Sequence, residues 1–382
     1  MANGNWFSAA LKTESIDQRY VSAGGFTHGF DYLRLILAAA VVLVHSFASS
    51  YGNGVDKIIW GSPVRMASAP ILLMFFALSG FLVAGSVKRS PNLTGFLTLR
   101  ALRLVPALAV EVVLSAIILG PLLTSIPLGD YFSHHEFFSY FANIYGHIHY
   151  HLPGVFVDTP AHAVNASLWT VPYELECYLV LSALWVSRLI RFRIAVLAIT
   201  VLLALLYTVK YIYFPMPHLE FEHSPSRSLI VAFLAGVNIS LFSDKIKLDW
   251  RIAAFMLIGM LATTLVHQTA FIAAFFAAYL VVYLGLSHPP KKSFLLKGDY
   301  SYGLYLFSFP IQQTYSQLFP DHRHWYFNFT FALIFGIIYA MFSWWCIEKP
   351  TLGKKKFFVS SAVTTVERLK KRIFPTSSGF KA

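Results

Sequence analysis

Phe30-Asp31-Tyr32-Leu33-Arg34-Leu35-Ile36-Leu37-Ala38-Ala39-Ala40-Val41-Val42-Leu43-Val44-His45-Ser46-Phe47-Ala48-Ser49 is the stretch that decides the fold class. Its length matches the about 20 residues that an α-helix needs to cross a bilayer. Inside it stand Arg34 and His45, and ionisable side chains within a membrane segment are costly and tend to be kept for transport, proton movement or catalysis. Eleven residues of helix turn through three circles and about 20°, so the two face the same way, roughly 16 Å apart along the axis. Asp31, one turn before Arg34, can pair with it and lower the cost of a guanidinium near the membrane boundary. The plainer alternative is a snorkelling arginine with a core histidine bonded to a neighbouring helix.

The rest of the chain repeats the apolar pattern. Its 382 residues are 57% hydrophobic and only 13% charged, too apolar for an ordinary soluble domain. Apolar segments fall at 30–49, 68–87, 102–124, 169–187, 192–213, 227–243, 251–266, 269–287, 299–319 and 327–347. The expectation is an all-α integral membrane protein of about ten transmembrane helices. It has a polar lead at 1–29, one membrane domain at 30–350 with a long outer loop at 125–168, and a basic tail of little fixed structure at 351–382.

The net charge of +12 does not imply nucleic acid, because its distribution follows topology. With the N-terminus inside, twenty-four Lys and Arg residues fall on the inner side and five on the outer. That bias predicts both termini in the cytoplasm. The basic run Lys354-Lys355-Lys356 beside the last helix reads as an anchor to anionic membrane lipid. The mixed polar lead at 1–29 gives no expectation of a cleavable leader before the first apolar run, and Cys177 and Cys346 both fall within apolar segments, which argues against an outer-loop disulfide.

Three further clusters bear on chemistry. Arg100 and Arg103, one turn apart before Pro106, suit bidentate phosphate recognition, although they also serve as topology determinants. Trp169-Thr170-Val171-Pro172-Tyr173-Glu174 opens a helix expected to begin at the outer surface. A carboxylate beside an aromatic suits a sugar hydroxyl there, and helix-dipole stabilisation explains the acid equally well. His147, His149 and His151 alternate in the outer loop and would share one face of an extended segment. Without a carboxylate or thiol at a typical spacing, solvated histidines are favoured over a metal site, and no metal is expected.

Taken together these segments resemble membrane-bound acyltransferase family 3, bacterial enzymes that O-acylate surface glycans. The signature of Arg, ten residues, then His stands as Arg34 and His45 after Phe30-Asp31-Tyr32-Leu33. Its helix-2 block is Phe75-Phe76-Ala77-Leu78-Ser79-Gly80-Phe81-Leu82, and its paired arginines are Arg100 and Arg103. Trp169 with Glu174, then Ser301-Tyr302 with Tyr305-Leu306, then Glu348-Lys349-Pro350 complete the order. One departure is Ser308, where many members carry His. The resemblance is to the stand-alone type, which is expected to do without the extra periplasmic domain of some relatives.

The resemblance implies a multi-pass protein of the bacterial inner membrane that moves an acyl group, most often acetyl, from cytoplasmic acyl-CoA to a hydroxyl of a glycan or glycolipid. In that reading His45, Arg34 and Glu174 are catalytic, and Arg34, Arg100 and Arg103 bind the donor. Asp31, Ser79, Trp169 and Tyr302 contact the acceptor. His45 serves as nucleophile or as base, and sequence leaves both open. The alternative from another class is a transporter or flippase of a glycan or lipid-linked sugar with Arg34 and His45 as gating residues. The absence of an internal repeat argues against it.

Overall fold

The computed structural model describes residues 14–24, 27–90, 92–214, 225–287 and 297–373. Of the basic residues in the topology count, Lys12, Lys291, Lys292 and Lys381 lie outside them. The chain is built from helices α1 (Ile16–Ser22), α2 (His28–Tyr51), α3 (Asn53–Gly61), α4 (Arg65–Arg89) and α5 (Leu93–Leu114). A π turn at Ser115–Leu119 carries α5 on to Leu123. Next come α6 (Leu128–Ser133), α7 (His135–Tyr140), α8 (Val171–Val186), α9 (Arg193–Tyr213), α10 (Arg227–Leu241), α11 (Trp250–Thr264) and α12 (Ala270–Gly285). The last three are α13 (Ser301–Leu318), α14 (Trp325–Phe342), extended by a π turn at Ser343–Glu348 to Gly353, and α15 (Lys355–Ile373). A two-residue strand, β1 (Glu14–Ser15), pairs antiparallel with β2 (Lys247–Leu248).

Each of the ten apolar segments falls on a helix. Among the described residues, α2, α4, α5, α9 and α14 are long and apolar enough to cross a membrane. By contrast α8, α10, α11 and α12 have only 15 or 16 residues, about 24 Å at most. The protein is all-α and of the multi-pass membrane type. The long helices present apolar side chains outward, Leu202, Leu205 and Leu206 of α9 and Ile334 and Ile338 of α14 among them.

The short helix α10 lies at the centre, buried along almost its whole length. It crosses α4 backbone to backbone. A Cβ on Gly80 would collide with the Phe233 carbonyl, and one on Gly236 with the Ala77 carbonyl. Small residues at such crossings let helices approach where lipid supplies no hydrophobic drive.

Three expectations need correction. First, α5 begins at Leu93, not near 102, because the Asn92 side chain accepts from the Gly95 N–H at 2.7 Å and caps the helix. Arg100 and Arg103 therefore sit two turns or more inside it. Second, the tail is helical from Lys355 to Ile373. Val359, Ala362, Val363 and Val366 recur at helical spacing and are half-buried, and α15 packs on α5, Val359 lying where a Cβ on Gly95 would reach.

Third, 125–168 is no loose loop. It closes against α5 through Tyr131 Oη to the Ala116 carbonyl at 2.7 Å and Thr124 Oγ1 to the Pro153 carbonyl at 2.7 Å. Tyr131, Phe137, Tyr140, Phe156 and Leu168 join one apolar cluster with Leu104 and Leu108. On its surface the His147 Nδ1 and His149 Nε2 atoms meet at 2.8 Å. His151 instead makes an edge contact with Tyr150, and no group of three ligating side chains is found among the described residues.

Two outcomes are expected. Gly80→Leu should force α4 and α10 apart and cost about 1–3 kcal/mol, seen as a lower thermal midpoint in detergent. Burial, and then the neighbouring His147, hold the His149 pKa below its usual 6.5. Protonation thus favours the opened segment, so its stability is present above about 6.5 and is lost as pH falls from there toward the lower folded value. Protection factors for hydrogen exchange around Asn143–Tyr150, corrected for the intrinsic pH dependence of exchange, should fall as pH drops below about 6.5, and His149→Gln should flatten that response.

Candidate functional site

A chain of ion pairs ties four segments together at the end of the bundle where α2 begins. Arg34 Nη2 meets Asp31 Oδ1 at 2.7 Å, and Arg34 Nη1 reaches Asp299 Oδ2 at 3.4 Å. The same Asp299 oxygen takes Arg103 Nη2 at 2.6 Å, and Arg103 Nη1 donates to Glu348 Oε2 at 2.7 Å. Asp299 stands just before α13 and also accepts from Ser301 Oγ at 2.7 Å. Glu348 accepts from Ser343 Oγ at 3.0 Å, five residues back, because the π turn brings positions five apart into register. Arg103 lies over the Tyr302 ring at 5.7 Å, and Tyr302 Oη donates to the Leu104 carbonyl at 3.0 Å.

Arg100 differs. It meets the Ser86 hydroxyl at 3.4 Å and the face of Phe96 at 5.9 Å, and among the described residues no carboxylate lies at ion-pair distance from it, Glu174 acting on it only from further off.

Beside this chain lies a cavity of about 180 Å³. Arg34, Ser79, Arg100, Arg103, Glu174 and Tyr302 all line it, with Phe75, Tyr178 and Tyr305 supplying aromatic walls. Glu174 is held by the Tyr178 hydroxyl one turn on. The expectation that Glu174 opens a helix at the outer surface is corrected here: it shares a cavity with the arginine cluster. The buried 3-10 turn Ala166–Thr170 leads the chain into the bundle before α8 starts, and Pro172 fits that first helical turn.

His45 does not line the cavity but is joined to its wall. Its Nδ1 meets Ser167 Oγ at 3.4 Å, and its ring stands edge-on to Phe309 at 5.2 Å. The Ser167 carbonyl accepts from Tyr305 Oη at 3.1 Å, and that hydroxyl also meets Thr170 Oγ1 at 2.7 Å. Both Tyr305 and Thr170 line the cavity. Asp31 adjoins the site through Arg34. Trp169 is only 5% exposed, packs edge-on to Tyr173 at 5.9 Å and is not among the cavity's lining residues.

Several site residues were not singled out from sequence. Glu348 stood in the closing motif and Asp299 at the start of an apolar segment, but neither was assigned a role, which comes only with their shared partner Arg103. Glu111, fully buried in α5 and bonded to Asn165, is a lone acid in an apolar helix. The argument that picked out Arg34 applies to it equally.

Comparison with known proteins resolves what group this constellation belongs to. The family model described as an acyltransferase domain, that of acyltransferase family 3, matches residues 27–349. The chain belongs to acyltransferase family 3. Its relatives include an O-acetyl transferase of Shigella phage Sf6, 27% identical over 340 residues, covering 85% of this chain and 96% of that protein. Another is Nodulation protein 10 of Rhizobium leguminosarum bv. viciae, 26% identical over 367 residues, covering 88% and 96%. No solved structure matches the chain.

Asp299 carries the arginine pair, so Asp299→Asn should leave two half-buried guanidiniums with one counter-charge fewer, Asp31 and Glu348 remaining. The expected cost is about 1–2 kcal/mol, read as a lower thermal midpoint. Ser86→Ala, which touches only the singly bonded Arg100, should leave that midpoint nearly unchanged.

Proposed function

We propose that this acyltransferase moves an acetyl group from acetyl-CoA to a hydroxyl of a glycan or glycolipid. One observation carries the reading: a single cavity gathers Arg34, Arg100, Arg103 and Glu174, and His45 is joined to its wall through Ser167 and Tyr305. The name of the phage relative, an O-acetyl transferase, supports acetyl as the group moved.

The donor chemistry fits the residues present. Arg100 has no carboxylate partner among the described residues and is the guanidinium open to a donor phosphate. Arg34 and Arg103 are already bound to Asp299, so they contribute fixed positive field and hold the cavity's shape. Ser167 faces Nδ1 of His45, and the reading assigns the reaction to Nε2. As base, it takes the acceptor hydroxyl's proton while that oxygen attacks the thioester carbonyl, the C–S bond breaks and the thiolate leaves, to be protonated in turn. As nucleophile, Nε2 attacks the same carbon as the C–S bond breaks; the acceptor oxygen then attacks the acyl-imidazole, the C–N bond breaks and the hydroxyl proton passes to the thiolate. Glu174 orients the acceptor, with Ser79 and Tyr302 beside it. Trp169 serves by backing that wall and not by stacking on a sugar.

In this reading the ten apolar helices together form the part of the protein that spans the bacterial inner membrane, the short ones enclosed or completed by their neighbours, and both termini are cytoplasmic. The donor enters from the Arg34 end, and the acceptor approaches from the side of 125–168.

The test uses purified protein in nanodiscs with radiolabelled acetyl-CoA and candidate glycans. His45→Ala should lower CoA release and acyl transfer at least about 100-fold with the protein still folded, and Arg34→Lys should also impair transfer, because a point charge cannot replace the planar fork. A protein-bound label that vanishes in His45→Ala selects the nucleophile, and turnover without label selects the base. Near-normal transfer by His45→Ala would sink the proposal.

A further inference from the structure

Behind His45, away from the arginine cluster, runs a second polar chain buried in apolar surroundings. Glu111 is fully buried on α5. Its Oε1 accepts from Asn165 Nδ2 at 2.8 Å and from Ser115 Oγ at 3.0 Å. Asn165, also fully buried, gives its Nδ2 to the Leu306 carbonyl as well, at 2.7 Å. Both protons of the amide are thereby committed, which fixes its orientation and leaves Oδ1 to accept. That oxygen takes the Ser167 N–H at 3.0 Å. Ser167 then presents its hydroxyl to His45 Nδ1 and its carbonyl to Tyr305.

A buried carboxyl is expensive unless it meets a specific need. Nothing in the ion-pair chain at the α2 end uses Glu111, and its Oε2 has no hydrogen-bond partner among the described residues. Both donors converge on Oε1, so that oxygen acts as an acceptor whether or not a proton sits on Oε2. What the site needs from Glu111 is therefore an acceptor at one fixed point, against which Asn165 is braced between α5 and α13. Without the brace the Asn165 amide is held by the Leu306 carbonyl alone, so it can shift and loosen its grip on the Ser167 N–H.

We infer that Glu111 and Asn165 are positioning residues that hold Ser167 so that it fixes the ring orientation and tautomer of His45. The inference rests on the acyl-transfer role proposed for His45. It assigns a use to a buried acid that neither the donor nor the acceptor reading requires. Orientation of a reacting group is worth orders of magnitude in rate when the supporting shell is lost, while substrate binding at Arg100 lies elsewhere.

The experiment compares Glu111→Leu, Glu111→Gln and Asn165→Asp with wild type and with His45→Ala, in the nanodisc acetyl-transfer assay, alongside thermal midpoints. Glu111→Leu and Asn165→Asp should lower kcat at least about 10-fold with the KM for acetyl-CoA nearly unchanged. Glu111→Gln, which keeps an acceptor at Oε1, should restore kcat to within about threefold of wild type. Unchanged kcat in folded Glu111→Leu and Asn165→Asp overturns the inference. So does a Glu111→Gln that fails as badly as Glu111→Leu, since the acid itself would then be required. Should His45→Ala stay active, the proposed function fails first. If it is dead while the other three are normal, only the positioning role is lost.

Discussion

The carboxylate of Asp299 is the constraint on which the site depends. One oxygen serves guanidiniums from two helices, Arg34 of α2 and Arg103 of α5, and Arg103 passes the connection on to Glu348 at the end of α14. Four segments far apart in sequence are thereby fixed at one end of the bundle. Two arginines facing one cavity would otherwise repel each other and demand water. Because both are paired from the side, neither stands as an unpaired charge at the cavity wall. Arg100 stands outside this arrangement, so the cationic cluster divides into a structural pair and one available member.

Much of this was legible in the sequence, and the limits have physical causes. The ten helices followed from hydropathy because a lipid-facing or core helix must be apolar along its length. Arg34, Arg100, Arg103, Glu174, Ser79 and Tyr302 could be picked out in advance, and they do meet in one cavity. Pairing with Asp31 was readable because it is local, one turn away. Pairing with Asp299 was not, since 265 positions separate it from Arg34 and no pattern within either helix encodes the meeting.

Misreadings arose where local rules are silent about depth. Glu174 was placed at an outer surface because a helix was assumed to begin where the membrane begins. Residues 125–168 read as a loop because they lack a long apolar run, yet short helices and side-chain caps such as Asn143, whose amide bonds the Tyr140 and His149 carbonyls at 2.8 and 2.9 Å, fold them against α5. The tail shows the reverse error: its basic and hydroxyl-rich composition concealed a stripe of valines that only the packing against α5 makes decisive.

The shortness of the inner helices has a broader consequence. A rod of about 24 Å cannot match about 30 Å of hydrocarbon, and if exposed it would oblige the bilayer to pinch. α10 is enclosed instead, packed against α4, α9 and α12, so protein and not lipid absorbs the difference in length. A helix enclosed in this way can end short of a membrane surface, where its free N–H and C=O groups need partners from the protein. Such buried ends are landing places for polar side chains, and a membrane protein that needs a wet, charged workshop in its middle can obtain one simply by making its central rods too short.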